Sequence, residues 1–203
     1  MNSLPTIETC FSPSMLHLYS IENKIVVIID IFRATSTIAA ALHNGAKEII
    51  PIDSVQKCID MGIENPAAIT AGERDGKVAP GLQHGNSPLE YPSEFIKDKT
   101  LLLTTTNGTR LLYMCTKADE IITGSFLNLE AVCQYLILQK KDVLLACASW
   151  KDRYNLEDSL FAGAVYSQVK KHFNMNCDST RAAHHLYSLA KNDLYSFIEV
   201  SVL

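Results

Sequence analysis

Short apolar runs alternate with helix-compatible segments along most of the chain, and this alternation constrains the fold more than any other feature. The runs are rich in β-branched residues and carry few polar ones, as buried strands do. Strands that alternate with helices are typical of α/β proteins. The sequence therefore predicts a layered α/β/α fold with a largely parallel sheet, in a single domain that covers residues 1–203.

Six strands and six helices are predicted from this pattern. The strands are Ile25–Ile29, Glu48–Ile52, Ala68–Ala71, Leu101–Thr104, Glu120–Thr123 and Val143–Cys147. The helices are Ser36–Asn44, Ser54–Asn65, Gly108–Thr116, Asn128–Lys140, Glu157–His172 and one around Ser179–Lys191. The longest irregular stretch, Gly72 to Pro92, is expected to have a function, because long loops in compact domains usually do.

Two of the predicted strands run directly into polar turns that lead into helices. The strand Leu101–Thr104 is followed by Thr-Thr-Asn-Gly-Thr at 105–109, and the strand Ile25–Ile29 is followed by the polar segment 30–37. Unpaired N–H groups at the start of a helix favour an anion. Ligands of open α/β sheets bind outside the carboxyl ends of the strands. The sequence therefore predicts a site for a small anion, such as a phosphate, a sulfonate or a carboxylate.

The two turns also suggest an internal repeat. With a shift of 72 positions, Thr37 falls on Thr109 and Glu48 falls on Glu120. One interpretation is a duplication with two similar βαβ-type halves, residues 25–95 and 97–170. The other interpretation is a chance likeness between two βαβ units, and both are kept.

Composition excludes several classes of partner and location. The chain has 18 basic and 22 acidic residues without a run of like charge, which argues against a nucleic-acid or anionic-membrane partner. No apolar stretch approaches the roughly 20 residues of a membrane span. The segment Met1–Pro13 lacks the pattern of a signal peptide. The six cysteines form no C-x-x-C motif, so we expect reduced thiols, no zinc site and a cytoplasmic location.

Arginines beside the polar turns indicate anion binding. The guanidinium group of arginine can donate two parallel hydrogen bonds to a phosphate, a carboxylate or a sulfonate. Arg33 and Arg74 adjoin threonine-rich or glycine-rich turns and are predicted to bind the anion. Arg110 begins a helix face and is interpreted as an ordinary surface residue.

Four acids at successive strand ends predict a magnesium site, namely Asp30, Glu73, Glu157 and Asp158. Mg²⁺ is usually held by one or two carboxylates together with waters and substrate oxygens. Each acid also has a structural interpretation. Glu157 and Asp158 can stabilise a helix N-terminus, and Asp30 can cap a turn. Their occurrence together at strand ends favours a site for a metal and an anion.

A set of short motifs in this order resembles the 2-phosphosulfolactate phosphatase family over roughly residues 25–165. The motifs are Asp30-x-x-Arg33-Ala34-Thr35-x-Thr37, Gly72-Glu73-Arg74, Gly85-Asn86-Ser87-Pro88, Thr105-Thr106-Asn107-Gly108-Thr109 and Glu157-Asp158. The resemblance implies a layered α/β fold, a need for Mg²⁺ and hydrolysis of 2-phospho-3-sulfolactate to 3-sulfolactate and phosphate, on the route to coenzyme M. The likeness weakens at the C-terminus, around residues 196–200, where relatives tend to continue.

Residue roles follow from this resemblance together with the chemistry of the turns. The predicted catalytic residues are Asp30, Arg33, Arg74 and Asn107. The predicted substrate-binding residues are Thr35, Asn86, Thr105, Thr106, Gly108 and Thr109. The predicted metal ligands are drawn from Asp30, Glu73, Glu157 and Asp158, and the sequence leaves open whether water or Asp30 itself attacks the phosphoryl group.

Two other functions are kept as alternatives. One is a phosphatase of another small phosphorylated hydroxy acid, and the other is a protein that binds a small anion without turnover. The expected partner is in each case a small phosphorylated sulfo- or hydroxycarboxylate. A homodimer is one option for the assembly.

Overall fold

The strands of the part of the chain that the structure describes lie in two four-stranded sheets. A computed structural model describes residues 4–199. The strands are β1 (Ile7–Cys10), β2 (Lys24–Ile29), β3 (Glu48–Pro51), β4 (Ile69–Arg74), β5 (Lys77–Val78), β6 (Thr100–Thr104), β7 (Glu120–Gly124) and β8 (Asp142–Cys147). The first sheet has the order β1-β8-β2-β7 and the second has the order β3-β6-β4-β5. Every pairing of these strands is parallel except the β4–β5 hairpin.

Helices connect the strands and cover the sheets. They are α1 (Ala34–His43), α2 (Val55–Glu64), α3 (Ser93–Ile96), α4 (Gly108–Met114), α5 (Leu129–Gln139), α6 (Leu156–Val169), α7 (Asp178–Ala190) and α8 (Leu194–Glu199). Short 3-10 helices lie at Pro13–Leu18, Pro88–Glu90 and Phe126–Asn128. No helix within residues 4–199 is long and apolar enough to cross a membrane.

Strand β2 shows why the sheet is apolar throughout. Its inner residues Ile25–Ile29 are at most 1% exposed. Ile25, Val27 and Ile29 pack with α5, α6 and α7 on one face of the first sheet. Val26 and Ile28 pack on the opposite face with Leu111 of α4. Because alternate side chains of a strand point to opposite faces, burial on both faces requires an uninterrupted apolar run.

The second sheet has the same layering. Leu101 and Leu103 of β6 pack on one face with Ala41 of α1. Leu102 packs on the other face with Cys58 of α2. The predicted layered α/β/α class with largely parallel strands is therefore confirmed, with the strands divided between two sheets.

A unit of three strands and two helices occurs twice along the chain. The first unit runs β2-α1-β3-α2-β4 and the second runs β6-α4-β7-α5-β8. In each sheet the first strand of one unit lies between the last two strands of the other unit. Two halves that exchange their first strands would give this topology. A common origin of residues 25–95 and 97–170 stays a prediction.

All six predicted strands and all six predicted helices are present, and their ends differ from the prediction by up to three residues. The pattern missed β1, β5, α3 and α8, which are short elements of two to six residues. The six cysteines are free thiols, five of them buried. The predicted features at Met1–Ser3 and at residue 200 lie outside the described residues.

Candidate functional site

The carboxyl ends of several strands meet around a small cleft of about 30 Å³, which we call the Asp30 cleft. Asp30 follows β2 directly, and Glu73 lies near the end of β4. The lining residues are Asp30, Phe32, Arg33, Glu73, Gly76, Asn86, Asn107 and Trp150. Five of these residues belong to the predicted site. The structure thus brings together residues that are far apart in the sequence, and it adds Phe32, Gly76 and Trp150.

Asp30 lies between the first turns of two helices. Its Oδ1 accepts a hydrogen bond from the Ala34 N–H of α1 at 3.3 Å. The Gly108 N–H of α4 also donates a hydrogen bond to this carboxylate. A Cβ atom at Gly108 would lie 2.7 Å from Asp30 Oδ2, so the absence of a side chain permits the close approach. The predicted residue Gly108 therefore helps to position Asp30.

The pKa of Asp30 is raised to about 6. Burial is the main cause, and the negative charges of Glu73 and Glu157 add to it. The Ala34 and Gly108 N–H groups act in the opposite direction. Asp30 is thus a carboxyl group surrounded by other carboxylates, an arrangement that a bound cation would relieve.

The carboxylates of Glu73 and Asp158 each accept hydrogen bonds from two backbone N–H groups. Glu73 accepts from Thr106 at 2.8 Å and from Gly76 at 3.0 Å. Asp158 accepts from Ile31 at 2.9 Å and from Ser149 at 3.1 Å. The two side chains therefore fix the turns that form the cleft. Burial and the neighbouring Asp30 charge raise the pKa of Asp158 well above its usual range.

The carboxylates differ in how accessible they are to a ligand. Asp158 is 1% exposed and Glu73 is 5% exposed, whereas Asp30 and Glu157 are only half-buried. Burial also raises the pKa of Glu157. Within residues 4–199 no group of three or more His, Cys, Asp or Glu side chains is arranged to hold a metal ion. A magnesium ion needs only one or two carboxylates. Asp30 lines the cleft, whereas Glu157 does not line it and is near enough for its charge to act on Asp30.

The threonine turn after β6 is largely hydrogen-bonded within itself. The Thr105 and Thr109 hydroxyls lie 3.1 Å apart, and each accepts the other residue's backbone N–H. The Thr106 N–H donates to Glu73, as described above. The Thr35 hydroxyl, in the turn after β2, is also bonded within its own turn and donates to the Asp30 carbonyl at 2.8 Å. Three predicted substrate-binding hydroxyls therefore hold the turns in shape.

Buried polar atoms without a partner mark the same region. The described residues contain four such atoms, and three of them are Asn86 Oδ1, Thr106 Oγ1 and Ser149 Oγ. Buried polar groups are normally hydrogen-bonded, so unpaired ones near a cleft indicate a place for a ligand or water. Ser149 did not appear in the predicted set, although it lies two residues after the end of β8.

The loop after β8 has an unusual backbone. Ser149, Lys151 and Asp152 have positive φ angles of 57°, 51° and 61°. Such angles are uncommon for residues other than glycine, and they gather at functional sites. Lys151 pairs with Asp75 at 2.9 Å, which links this loop to the β4–β5 turn. The loop places Trp150 at the edge of the Asp30 cleft.

Arg33 and Arg74 are cations without a carboxylate partner within ion-pair distance among residues 4–199. Arg33 Nη2 donates to the Gly76 carbonyl at 3.3 Å. Arg74 donates to the Glu73 carbonyl at 2.6 Å and to Thr104 Oγ1 at 3.0 Å. Both guanidinium groups are therefore held by neutral oxygens and keep their charge for a ligand.

A second cleft of about 570 Å³ adjoins the first, and we call it the Arg74 cleft. Its lining residues are Asp53, Arg74, Thr105, Thr106, Arg110, Tyr113 and Met114. Arg110, interpreted from the sequence as a surface residue, pairs with Asp152 at 3.0 Å. A concavity of about 1030 Å³ lies elsewhere, between α1 and α5, and contains no predicted site residue.

Comparison with known proteins gives one consistent family. The family model described as 2-phosphosulpholactate phosphatase matches residues 10–202. A probable 2-phosphosulfolactate phosphatase of Caldanaerobacter subterraneus subsp. tengcongensis is 39% identical over 182 residues, which cover 88% of this chain and 76% of the relative. Proteins with the same description from Thermotoga petrophila and Thermotoga maritima are 43% and 42% identical, each over 85% of this chain and 73% of the relative.

Proposed function

The chain belongs to the 2-phosphosulfolactate phosphatase family, whose members are phosphoric monoester hydrolases, and we propose that it hydrolyses 2-phospho-3-sulfolactate to 3-sulfolactate and phosphate. The observation that carries this proposal is the Asp30 cleft. There, a carboxyl group surrounded by acids faces an arginine without a carboxylate partner and the buried amide of Asn86. The wider setting, a step on the route to coenzyme M in the cytoplasm, is part of the same proposal.

Mg²⁺ is the cofactor that we propose, with Asp30 and Glu157 as its protein ligands. These two are the half-buried members of the predicted acidic set, whereas Glu73 and Asp158 are buried and hold backbone N–H groups. When bound, the ion supplies charge neutralisation at the phosphoryl oxygens and lowers the pKa of a water molecule. Its charge would also oppose the effects of burial and of the acidic neighbours, which raise the pKa of Asp30.

The remaining groups of the Asp30 cleft bind and orient the phosphoryl group. The Arg33 guanidinium donates to a carbonyl with one nitrogen only, so further N–H groups remain for phosphoryl oxygens. The Asn107 side chain makes no hydrogen bond at the start of α4. Donors of this kind stabilise the charge that develops in the transition state. The role of Thr35 and Gly108 is to keep Asp30 in position.

Attack by water and attack by Asp30 are both compatible with this placement. In the second route an Asp30 oxygen bonds to phosphorus, the ester oxygen leaves and takes up a proton, and water then cleaves the aspartyl phosphate. Rapid acid quenching with ³²P-labelled substrate separates the two routes. Label that stays on the protein supports the covalent route.

Two other functions are kept. A phosphatase of another small phosphorylated hydroxy acid would use the same cleft. A binding protein without turnover would not need Asp30 as a metal ligand, and its affinity for phosphate would survive the loss of that charge.

A phosphate-release screen over small phospho-acids, with Mg²⁺ or with excess EDTA, tests the proposal. We expect Mg²⁺-dependent release that is fastest with 2-phospho-3-sulfolactate and lost in Asp30→Asn. Asp119→Asn is a matched control, because Asp119 is 40% exposed and forms one ion pair among residues 4–199, with Lys141 at 3.2 Å. Equal rates of phosphate release with and without EDTA would contradict the proposed role of Mg²⁺. Faster release from another phospho-acid would contradict the proposed substrate.

A further inference from the structure

A hydrogen bond joins a residue that lines the Asp30 cleft to a residue that lines the Arg74 cleft. Glu73 lines the first cleft and Thr106 lines the second, and the Thr106 N–H donates to Glu73 Oε1 at 2.8 Å. Arg74, which follows Glu73, lines the Arg74 cleft, and Asn107, which follows Thr106, lines the Asp30 cleft. A ligand that spans a few bonds can therefore reach both clefts.

The charge of the Arg74 cleft favours an anion. Arg74 is fixed by the Glu73 carbonyl and by Thr104 Oγ1, both neutral, and its charge has no carboxylate within ion-pair distance in the described chain. The acid of the cleft, Asp53, already pairs with Lys57 at 3.5 Å. With two arginines and one aspartate, the lining of the cleft is net positive.

A second cation of the cleft is held weakly. Arg110 Nη1 donates to both carboxylate oxygens of Asp152, at 3.0 and 3.1 Å. The two side chains are 49% and 37% exposed. Exposed ion pairs contribute little free energy, so an incoming anion can replace Asp152 at small cost. Arg110 is thus available to a ligand without a large rearrangement.

The third group is the Thr106 hydroxyl. Its Oγ1 is buried and has no hydrogen-bond partner. A hydroxyl that is withdrawn from water and left unpaired is costly, and a ligand oxygen in the Arg74 cleft would satisfy it.

We propose that the Arg74 cleft binds the non-reacting acidic group of the substrate, a sulfonate or a carboxylate, through Arg74, Thr106 and an Arg110 that leaves Asp152. This inference rests on the proposed function, because it places the phosphoryl group in the Asp30 cleft. It defines the substrate class as phosphate esters that carry a further acid a few bonds away. Arg110 becomes the residue that sets this specificity.

Kinetics of Arg110→Gln test the proposal, with Arg181→Gln as the matched control. Arg181 is also exposed and pairs with one aspartate, Asp178, at 3.3 Å on α7. For 2-phospho-3-sulfolactate we expect the KM of Arg110→Gln to rise about tenfold, because a charged hydrogen bond is lost. The Arg181→Gln enzyme should match the wild type. An equal KM in Arg110→Gln and in the control would overturn the proposal.

A second substrate identifies which acid lies in the cleft. Phospholactate keeps the carboxylate and lacks the sulfonate. If the KM of Arg110→Gln rises for 2-phospho-3-sulfolactate alone, the cleft binds the sulfonate, and if it rises for both, the cleft binds the carboxylate. The variant Asp152→Asn keeps a residue that tolerates positive φ and should lower the KM, since Arg110 no longer has to leave a partner. If the KM of Asp152→Asn rose as much as that of Arg110→Gln, the proposal that Arg110 leaves Asp152 to bind the ligand would be contradicted.

A binding measurement separates this inference from the proposed function. The product 3-sulfolactate should raise the melting temperature of the wild type and of Arg181→Gln by the same amount, and that of Arg110→Gln by clearly less. This readout does not need turnover. Equal shifts in all three proteins would refute the cleft assignment even if phosphatase activity is found, whereas a reduced shift would support it even if the reacting ester is a different one.

Discussion

Replacement of Gly108 by alanine adds one methyl group where the Asp30 carboxylate meets α4. The new Cβ would lie 2.7 Å from Asp30 Oδ2 and 3.1 Å from Ala34 Cβ. Because carbon–oxygen contacts are comfortable at about 3.3 Å or more, the carboxylate has to move by roughly 0.6 Å. Ala34 lies on the other side of the methyl group, so the helix cannot simply tilt away.

The expected effect on stability is small. Alanine in a helix is favoured over glycine by about 0.5–1 kcal/mol, and a weakened hydrogen bond to Asp30 costs a similar amount. For a chain of this size, 1 kcal/mol corresponds to about 2–4 °C. The melting temperature of Gly108→Ala should therefore stay within about 4 °C of the wild type.

The expected effect on activity is large. Misplacement of a catalytic group by about 1 Å can cost about 100-fold in rate, so we expect kcat to fall between tenfold and about 100-fold at saturating Mg²⁺. The assay is phosphate release together with a thermal melt of the same sample. Asp30→Asn provides the control, because Gly108→Ala should add no further loss in its presence. Activity near that of the wild type would refute the claim that the position of Asp30 limits catalysis.

Three further predictions concern the same region. Without metal, the free energy of unfolding should fall as pH rises from about 4 to about 6, because the folded protein keeps a proton on Asp30 that the unfolded chain, with the ordinary pKa of 3.8, has released. Asp30→Asn should show a shallower fall than the wild type, because the raised pKa values of Glu157 and Asp158 remain, and the Mg²⁺-induced melting shift should be larger at pH 8 than at pH 5. Asp158→Ala leaves two buried N–H groups unpaired and should cost about 2–5 kcal/mol, and an unchanged melting temperature would contradict it. Thr106→Val keeps the shape of the side chain and should reduce the stabilisation by 3-sulfolactate, measured as a melting shift beside the wild type.

The inner strands could be predicted from the sequence because their burial on both faces leaves a local signal. Ile25–Ile29 is such a run, and its position and length were predicted almost to the residue. Strand β1 gives no such signal. It has four residues, with Glu8 and Thr9 among them, and it is stabilised by pairing with β8 and by the ion pair of Glu8 with Lys24. The division into two sheets likewise depends on strand order, which periodicity does not encode.

The site could be predicted as a set of residues and less well as a set of contacts. The structure places Asp30 and Asn107, both chosen because they follow apolar strands, in the lining of one cleft. The sequence could not show that the Thr105 and Thr109 hydroxyls bond to each other while Thr106 Oγ1 stays unpaired, because adjacent threonines look alike. It also could not show the left-handed backbone of Ser149, since that conformation is usually signalled by glycine or asparagine.

The exchange of strands between the sheets has a consequence for how the chain reaches this fold during synthesis. In the second sheet β4 pairs with β5 and β6, its successors in the chain, so this sheet can form early. In the first sheet Ile25 lies beside Glu120, and Ile7 lies beside Val143. The strand β2 therefore leaves the ribosome long before β7 and β8, between which it lies in the sheet. Until these strands are synthesised, its apolar residues have no strand to pair with. Because such distant pairings form slowly, a nascent chain that ends before β7 should need a chaperone to remain unaggregated.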